Sequence, residues 1–197
     1  MGTLPTMRDQ MQASLRDAER LLAQFVGDPE TGQAMEAIVA CIAQAFKSGC
    51  KVLACGNGGS MADAMHFAEE FSGRFRDDRE PYPAIALSDP AHLTCVSNDY
   101  GYDHVFSRQV QALGQPGDAV LLLSTSGKSK NLILAAEVAR SKGVTVVGCL
   151  GKGGGPLAAL CDIVLHAPGQ GSDRIQELHM LALHVIIEQV EREMAEG

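Results

Sequence analysis

Tryptophan is absent from this sequence, and aromatic residues together make up only 5% of it. Proteins that grip single-stranded nucleic acid stack its bases on aromatic rings, so that class of function is disfavoured. A basic excess is missing too. Sixteen Lys and Arg stand against 24 Asp and Glu, a formal net charge of −8, and no stretch has the look of a nucleic-acid footprint. The longest unbroken apolar run, Ala37 to Ala43, falls far short of a membrane span. No signal peptide is expected, because Met1 to Phe25 alternates charge with apolar residues throughout. The six cysteines (Cys41, Cys50, Cys55, Cys95, Cys149 and Cys161) form no Cys-x-x-Cys pair, and most lie in apolar runs. A disulfide scaffold and a cysteine zinc site are both disfavoured; buried, reduced thiols in a cytoplasmic protein are expected.

What is present is ordinary globular composition: 197 residues, 46% hydrophobic and 20% charged, enough to bury a full core without disulfides or structural metal. There is no internal repeat and no linker long enough to divide the chain. The first 48 residues read as a helical hairpin. Met11, Leu15, Ala18, Leu22 and Phe25 keep a helical rhythm, and Asp28-Pro29 marks a stop and a new start. Met35, Ile38, Val39, Ile42 and Phe46 then share one face. Two amphipathic helices ahead of the first strand must cover either their own sheet or a partner subunit.

After Gly49 the rhythm changes. Short apolar runs at Lys51–Cys55, Pro83–Leu87, Ala119–Leu123, Val144–Leu150 and Ile163–Ala167 predict five strands. Helical stretches lie between most of them, at Ser60–Phe71, Tyr102–Leu113, Ser129–Lys142 and Pro156–Leu160, and a long helix closes the chain from Asp173 to Ala195. Strands apolar on both faces that alternate with helices indicate a parallel sheet covered on both sides. The expected fold is α/β, a doubly wound five-stranded parallel sheet with an N-terminal helical hairpin. It forms one domain over 1–197, with the hairpin at 1–48 and the α/β core and last helix at 50–197.

Ligands of open parallel sheets sit beyond the carboxyl ends of the strands. Two strand-to-helix junctions are equipped for that. In Cys55-Gly56-Asn57-Gly58-Gly59-Ser60, three glycines allow close backbone approach, and the next helix aims its free N–H groups at the gap. The plainer reading is a tight turn in which Ser60 and Asp63 form a capping box. The pattern is neither the dinucleotide fingerprint nor a Walker loop. Ser124-Thr125-Ser126-Gly127-Lys128-Ser129 is sharper: four hydroxyls and a helix start can surround a phosphate with neutral donors, with Lys128 available to add charge.

His66 and Glu70 lie four apart on one helix face, as metal ligands, as a base with its partner, or as a plain surface pair; the residues alone favour the plain pair. The last helix offers Gln176, His179 and His184. Asp173-x-x-Gln176 fits a capping box, and one of the two histidines reads as a core residue. Asn98-Asp99-Tyr100-Gly101 is either a turn or a pair of polar groups for sugar hydroxyls.

Together these segments resemble the sugar isomerase (SIS) domain family, and within it the phosphoheptose isomerases. The matching strings are Cys55 to Ser60, Asp63-Ala64-Met65-His66-Phe67-Ala68-Glu69-Glu70, Pro83 to Leu87, Asn98 to Gly101 and Phe106-Ser107-Arg108-Gln109. Ser124 to Ser129 and Arg174-Ile175-Gln176-Glu177, followed by His184, complete the set. The resemblance implies a flavodoxin-like SIS fold and the isomerisation of sedoheptulose 7-phosphate to D-glycero-D-manno-heptose 7-phosphate. That reaction is the first step toward the ADP-heptose of lipopolysaccharide. It also implies a cytoplasmic homotetramer with one zinc per subunit, and no nucleic-acid or membrane partner.

Carried over by position, Ser124, Thr125, Ser126 and Ser129 hold the phosphate, and Asn57, Gly58, Gly59, Glu70, Asn98, Asp99 and Gln176 contact substrate. His66, Glu70, Gln176 and His184 are the metal ligands, with Glu70 and His184 also the acid–base pair. Those residue types suit an enediol route, in which a carboxylate moves the carbon proton and an imidazole serves the oxygens. Gln176 and His184 are eight residues apart, about 12 Å along an ideal helix. Two such ligands on one ion lead to the expectation that one of them comes from a neighbouring chain. The competing reading is a non-catalytic SIS-domain protein, either a sugar-phosphate sensor or an adaptor for a replication initiator. The presence of both Glu70 and His184 favours the enzyme. A zinc hydrolase ranks last, for want of a water-activating arrangement.

Overall fold

Thr6 opens the first helix, α1 (Met7–Gly27): its hydroxyl accepts the Asp9 N–H while the Asp9 carboxylate takes the Thr6 N–H, a capping box. Asp28 closes α1 and caps α2 (Pro29–Lys47), with Pro29 in the first turn, as the sequence predicts. The computed structural model describes residues 5–195; residues 1–4 and 196–197 of the expected domain lie outside the described residues.

Five strands follow: β1 (Val52–Gly56), β2 (Ala84–Ala86), β3 (Ala119–Ser124), β4 (Thr145–Gly151) and β5 (Ile163–Ala167). They pair in the order β2-β1-β3-β4-β5, all parallel. Every residue of β1 and β3 is buried, which is why these strands read as unbroken apolar runs. Alternate residues of β3 serve opposite layers. Leu121 and Leu123 meet α2, α3 (Gly59–Ser72) and α8 (Ser172–Ala195) through Ile38, Phe67, Phe71 and Ile186. Val120 and Leu122 meet α5 (Val105–Leu113) and α6 (Lys130–Ser141) through Phe106, Val110, Leu132 and Ala136. α7 (Gly155–Ala158) is a single turn. Among the described residues no helix is long and apolar enough to cross a membrane.

Three features differ from the sequence reading. A helix not expected, α4 (Pro90–Tyr100), precedes Gly101; only Val96 on it is buried, so it has no apolar stripe to reveal it. Gly101, at φ +88°, then turns the chain into one 3-10 turn at Tyr102–His104, so α5 starts three residues later than predicted. On α1 only Leu21 and Phe25 are buried, while Met11 and Leu15 stay 62% and 70% exposed, so the apolar face of its first half is uncovered. All six cysteines are free; Cys55 and Cys149 are buried as expected, whereas Cys95 is exposed on α4.

β1 connects to β2 on one side and is flanked by β3 on the other. The order of connections therefore reverses between β1 and β3, which opens a crevice beyond their carboxyl ends.

Candidate active site

Both singled-out loops lie in that crevice. A cleft of about 240 Å³ is lined by Asn57 and Ser60 from the first loop, Ser124, Thr125, Ser126 and Ser129 from the second, and Ser172 and Gln176 from the start of α8. No side chain caps α3 at Gly58 or α6 at Ser129, so two helix N-termini face the site unoccupied by their own residues. The capping-box reading of Ser60 therefore fails. Ser60 is nearly buried and its hydroxyl accepts from Gln176 Nε2 at 3.3 Å. A Cβ at Gly59 would stand 2.7 Å from both terminal atoms of the Gln176 amide, so glycine there lets α3 and α8 begin side by side. Within the second loop, Ser124 Oγ accepts the Gly127 N–H at 3.0 Å and Ser126 Oγ the Lys128 N–H at 3.3 Å. Thr125 and Ser172 hydroxyls lie 3.1 Å apart. Lys128 is exposed and does not line the cleft, so the ring of donors is neutral.

An amide pair joins the first loop to α6. Asn57 Nδ2 donates to Asn131 Oδ1 at 3.0 Å and Asn131 Nδ2 returns to Asn57 Oδ1 at 2.9 Å. The Tyr102 hydroxyl donates to the same Asn57 oxygen at 2.7 Å. With that oxygen doubly engaged, the second N–H of the Asn57 amide is what remains for a ligand.

Further along α3 and α8 stands a second group. His66 Nε2 is 2.9 Å from His184 Nε2 and 3.2 Å from Glu70 Oε1. Ligand atoms of the three residues lie within 4.8 Å of one another. A tetrahedral zinc with bonds of about 2.0–2.1 Å holds its ligand atoms about 3.3 Å apart. Two imidazoles and a carboxylate at these separations are therefore a set that can hold a metal ion. His184 reaches the group from the same chain as His66 and Glu70, so of the two late residues it is Gln176 that this chain does not bring to it. Gln176 turns its amide to Ser60 and Gly59 instead.

Residues 15–151 match the SIS domain model. Over 190 residues the chain is 49% identical to the phosphoheptose isomerase of Pectobacterium atrosepticum, covering 96% of this chain and 98% of that one. It is 50% identical over 189 residues to the phosphoheptose isomerase of Vibrio cholerae, covering 95% and 99%. The chain belongs to the SIS-domain family, among its phosphoheptose isomerases. Solved structures agree: phosphoheptose isomerase GmhA from Neisseria gonorrhoeae superposes with a TM-score of 0.89 at 36% identity, covering 95% of this chain and 100% of that one. The enzyme from Francisella tularensis gives 0.91 at 32%, covering 95% and 99%. Membership decides for an enzyme over a non-catalytic relative.

In this isomerase not every expected residue meets the cleft. Asn98 and Asp99 are exposed at the end of α4, where Asn98 Nδ2 donates to Asp99 Oδ1 at 2.7 Å. Ser172, Asn131 and Tyr102 were not singled out from the sequence; a serine at the start of the last helix was the one local signal. Two polar side chains on α3 and α8 carry inaccessible atoms without partners. Asp63 Oδ2 has no hydrogen-bond partner, and burial pushes its carboxyl up to about 6, against the pull of His66. His179 is fully buried with both ring nitrogens unpartnered, and burial brings it down to about 4.

Proposed function

We infer that the chain interconverts sedoheptulose 7-phosphate and D-glycero-D-manno-heptose 7-phosphate through an enediol, in the cytoplasm, as the first step toward ADP-heptose. The observation that carries this reading is the spacing along α3. Ser60 opens the phosphate cleft, and His66 and Glu70 follow six and ten residues on, about 9–15 Å along the helix. An open heptose chain with phosphate on its last carbon spans a comparable distance to its first two carbons.

Ser124, Thr125, Ser126 and Ser129 grip the phosphate, joined by Ser60, Ser172 and the uncapped starts of α3 and α6. Asn57, Gly58, Gly59 and Gln176 orient the sugar. Asn98 and Asp99 are carried over from the resemblance; Tyr102, reaching Asn57, brings the segment after them to the cleft. Glu70 takes a proton from C1 of the ketose, exchanges it in part with water, and delivers a proton to C2, while His184 moves the proton between the two oxygens. Zinc, held by His66, Glu70 and His184 with Gln176 supplied by a neighbouring chain as a further ligand, would polarise the carbonyl and stabilise the enediolate. An imidazole nitrogen committed to an ion carries no proton, so His184 transfers from a nitrogen free of it.

Met7, Met11 and Leu15 form an exposed apolar stripe on α1, and Leu181 and Val185 another on α8. These stripes support the homotetramer.

Proton NMR of purified, zinc-supplied protein with sedoheptulose 7-phosphate and, separately, with sedoheptulose tests the reading. Aldose anomeric signals should arise from the phosphorylated sugar and fall steeply without phosphate. Folded protein that leaves the phosphorylated ketose unchanged would sink it.

A further inference from the structure

Between α3 and β2 the chain makes a loop, residues 73–83, that brings Phe75 to His184 and Arg79 to the backbone of Glu70. Phe75 lays its ring along His184, centroids 5.9 Å apart and planes 24° from parallel. Arg79 reaches the two helices themselves. Its Nη2 donates to the Glu70 carbonyl at 2.8 Å and its Nη1 to the Phe71 carbonyl at 2.8 Å. These belong to the last turn of α3, where carbonyls have no donor within the helix. Its Nε donates to Glu191 Oε1 of α8 at 2.6 Å, and its guanidinium lies over the Tyr82 ring at 4.6 Å. The side chains of Arg79 and Glu191 are only 13% and 16% exposed.

The guanidinium thus ties α3 at Glu70 itself to α8 about two turns beyond His184. An ion pair this buried adds little net stability over apolar side chains of the same size, but it fixes geometry, because its fork has one arrangement that satisfies every partner. The geometry at stake is the approach of His184 to His66 and Glu70, where a shift of an ångström disturbs both an ion's coordination and a proton's path.

We propose that Arg79 is a positioning residue for the isomerase reaction, clamping the end of α3 to Glu191 of α8 so that Glu70, His66 and His184 converge. This rests on the reading of those three residues as the metal and proton-transfer site. The phosphate cleft lies at the opposite end of α3, so the clamp governs the chemical step and the metal, not the grip on phosphate.

The test compares wild type with Arg79→Lys, Glu191→Gln, the double variant and Arg76→Gln. Arg76 comes from the same loop and pairs with Glu188 of α8 at 3.0 Å, but it is 59% exposed. Zinc affinity is read by competition with a chromophoric chelator, kcat and KM with sedoheptulose 7-phosphate, and folding by thermal melting. Arg79→Lys and Glu191→Gln should each weaken zinc binding and lower kcat by about 10–100-fold. KM should stay within about threefold, the double variant should be no worse than the worse single one, and Arg76→Gln should match wild type. If Arg79→Lys does not fold, Glu191→Gln carries the same expectation. Lower melting temperatures with wild-type kcat and zinc affinity would overturn the proposal and leave a purely structural clamp. A wild type that binds zinc without turning over the sugar refutes the isomerase reading alone, and the zinc comparison still decides on Arg79.

Discussion

Gly127→Ala tests how the Ser124–Ser129 loop is held. Gly127 sits at φ +61°, and a Cβ there would overlap the Gly154 carbonyl oxygen and stand 3.0 Å from the Gly155 nitrogen. Both obstacles are backbone, so no side chain can rotate away, and one of the two loops has to move. The left-handed conformation costs about 1–2 kcal/mol for alanine and the overpacking about 1–3 kcal/mol, together about 2–5 kcal/mol. In a chain of this size that lowers the melting temperature by about 10 °C. Ser124, Ser126 and Ser129 ride on the displaced loop, so KM for the sugar phosphate should rise by about tenfold or more. Gly153→Ala is the control: its φ is +76°, yet a Cβ would meet nothing within 4 Å. It should cost only the backbone part, about 1–2 kcal/mol, and leave KM alone. Differential scanning calorimetry and steady-state kinetics on both variants decide the matter. Equal losses of stability, or a wild-type KM for Gly127→Ala, would refute the interlock.

Tyr102→Phe removes one hydroxyl from Asn57 Oδ1 without disturbing packing. About 1 kcal/mol of orientation should be lost, raising KM about fivefold at unchanged kcat; an unchanged KM counts against Asn57 as a ligand. His179 is neutral and buried in the native state at about 4, below its unfolded value near 6.5, so its contribution to stability is full above pH 6.5 and is lost as pH falls through 4. Replacing it in His179→Leu should flatten the acid limb of a urea-unfolding profile across that window, by about 3 kcal/mol at its low end; an unchanged limb refutes the assignment. Because Glu70 and His184 converge within one chain, refolding mixtures of Glu70→Gln and His184→Gln chains should recover no activity; recovery would show the pair to be shared.

Much of the fold was legible because its strands are buried on both faces. Ile163–Ala167 was predicted at its observed bounds, and the other four strands within one residue at each end. α4 escaped because it buries only Val96, although Asp89 capping ahead of Pro90 is a start signal that periodicity alone overlooks. The stripe at Met11 and Leu15 was visible, but local sequence says that such a face needs a cover, not which chain supplies it. At the site, the Ser124–Ser129 loop announced itself by its density of hydroxyls. His66 and Glu70 did not, since a pair four apart is common on any exposed helix. It takes α8 lying beside α3 to bring His184 to them across 118 positions of sequence. That parallel packing also separates Gln176 from His184, placing one at the phosphate cleft and the other at the His66–Glu70 group.

The proposed reaction rests on Glu70 moving a proton between adjacent carbons of a phosphorylated ketose. Turnover of sedoheptulose 7-phosphate in D2O, followed by proton NMR of the aldose formed, tests it most directly. The aldose formed should have its C2 proton depleted by deuterium, and a Glu70→Gln chain with a wild-type melting temperature should form none. Aldose that keeps its full C2 proton after many turnovers, or that Glu70→Gln forms at the wild-type rate, would contradict it.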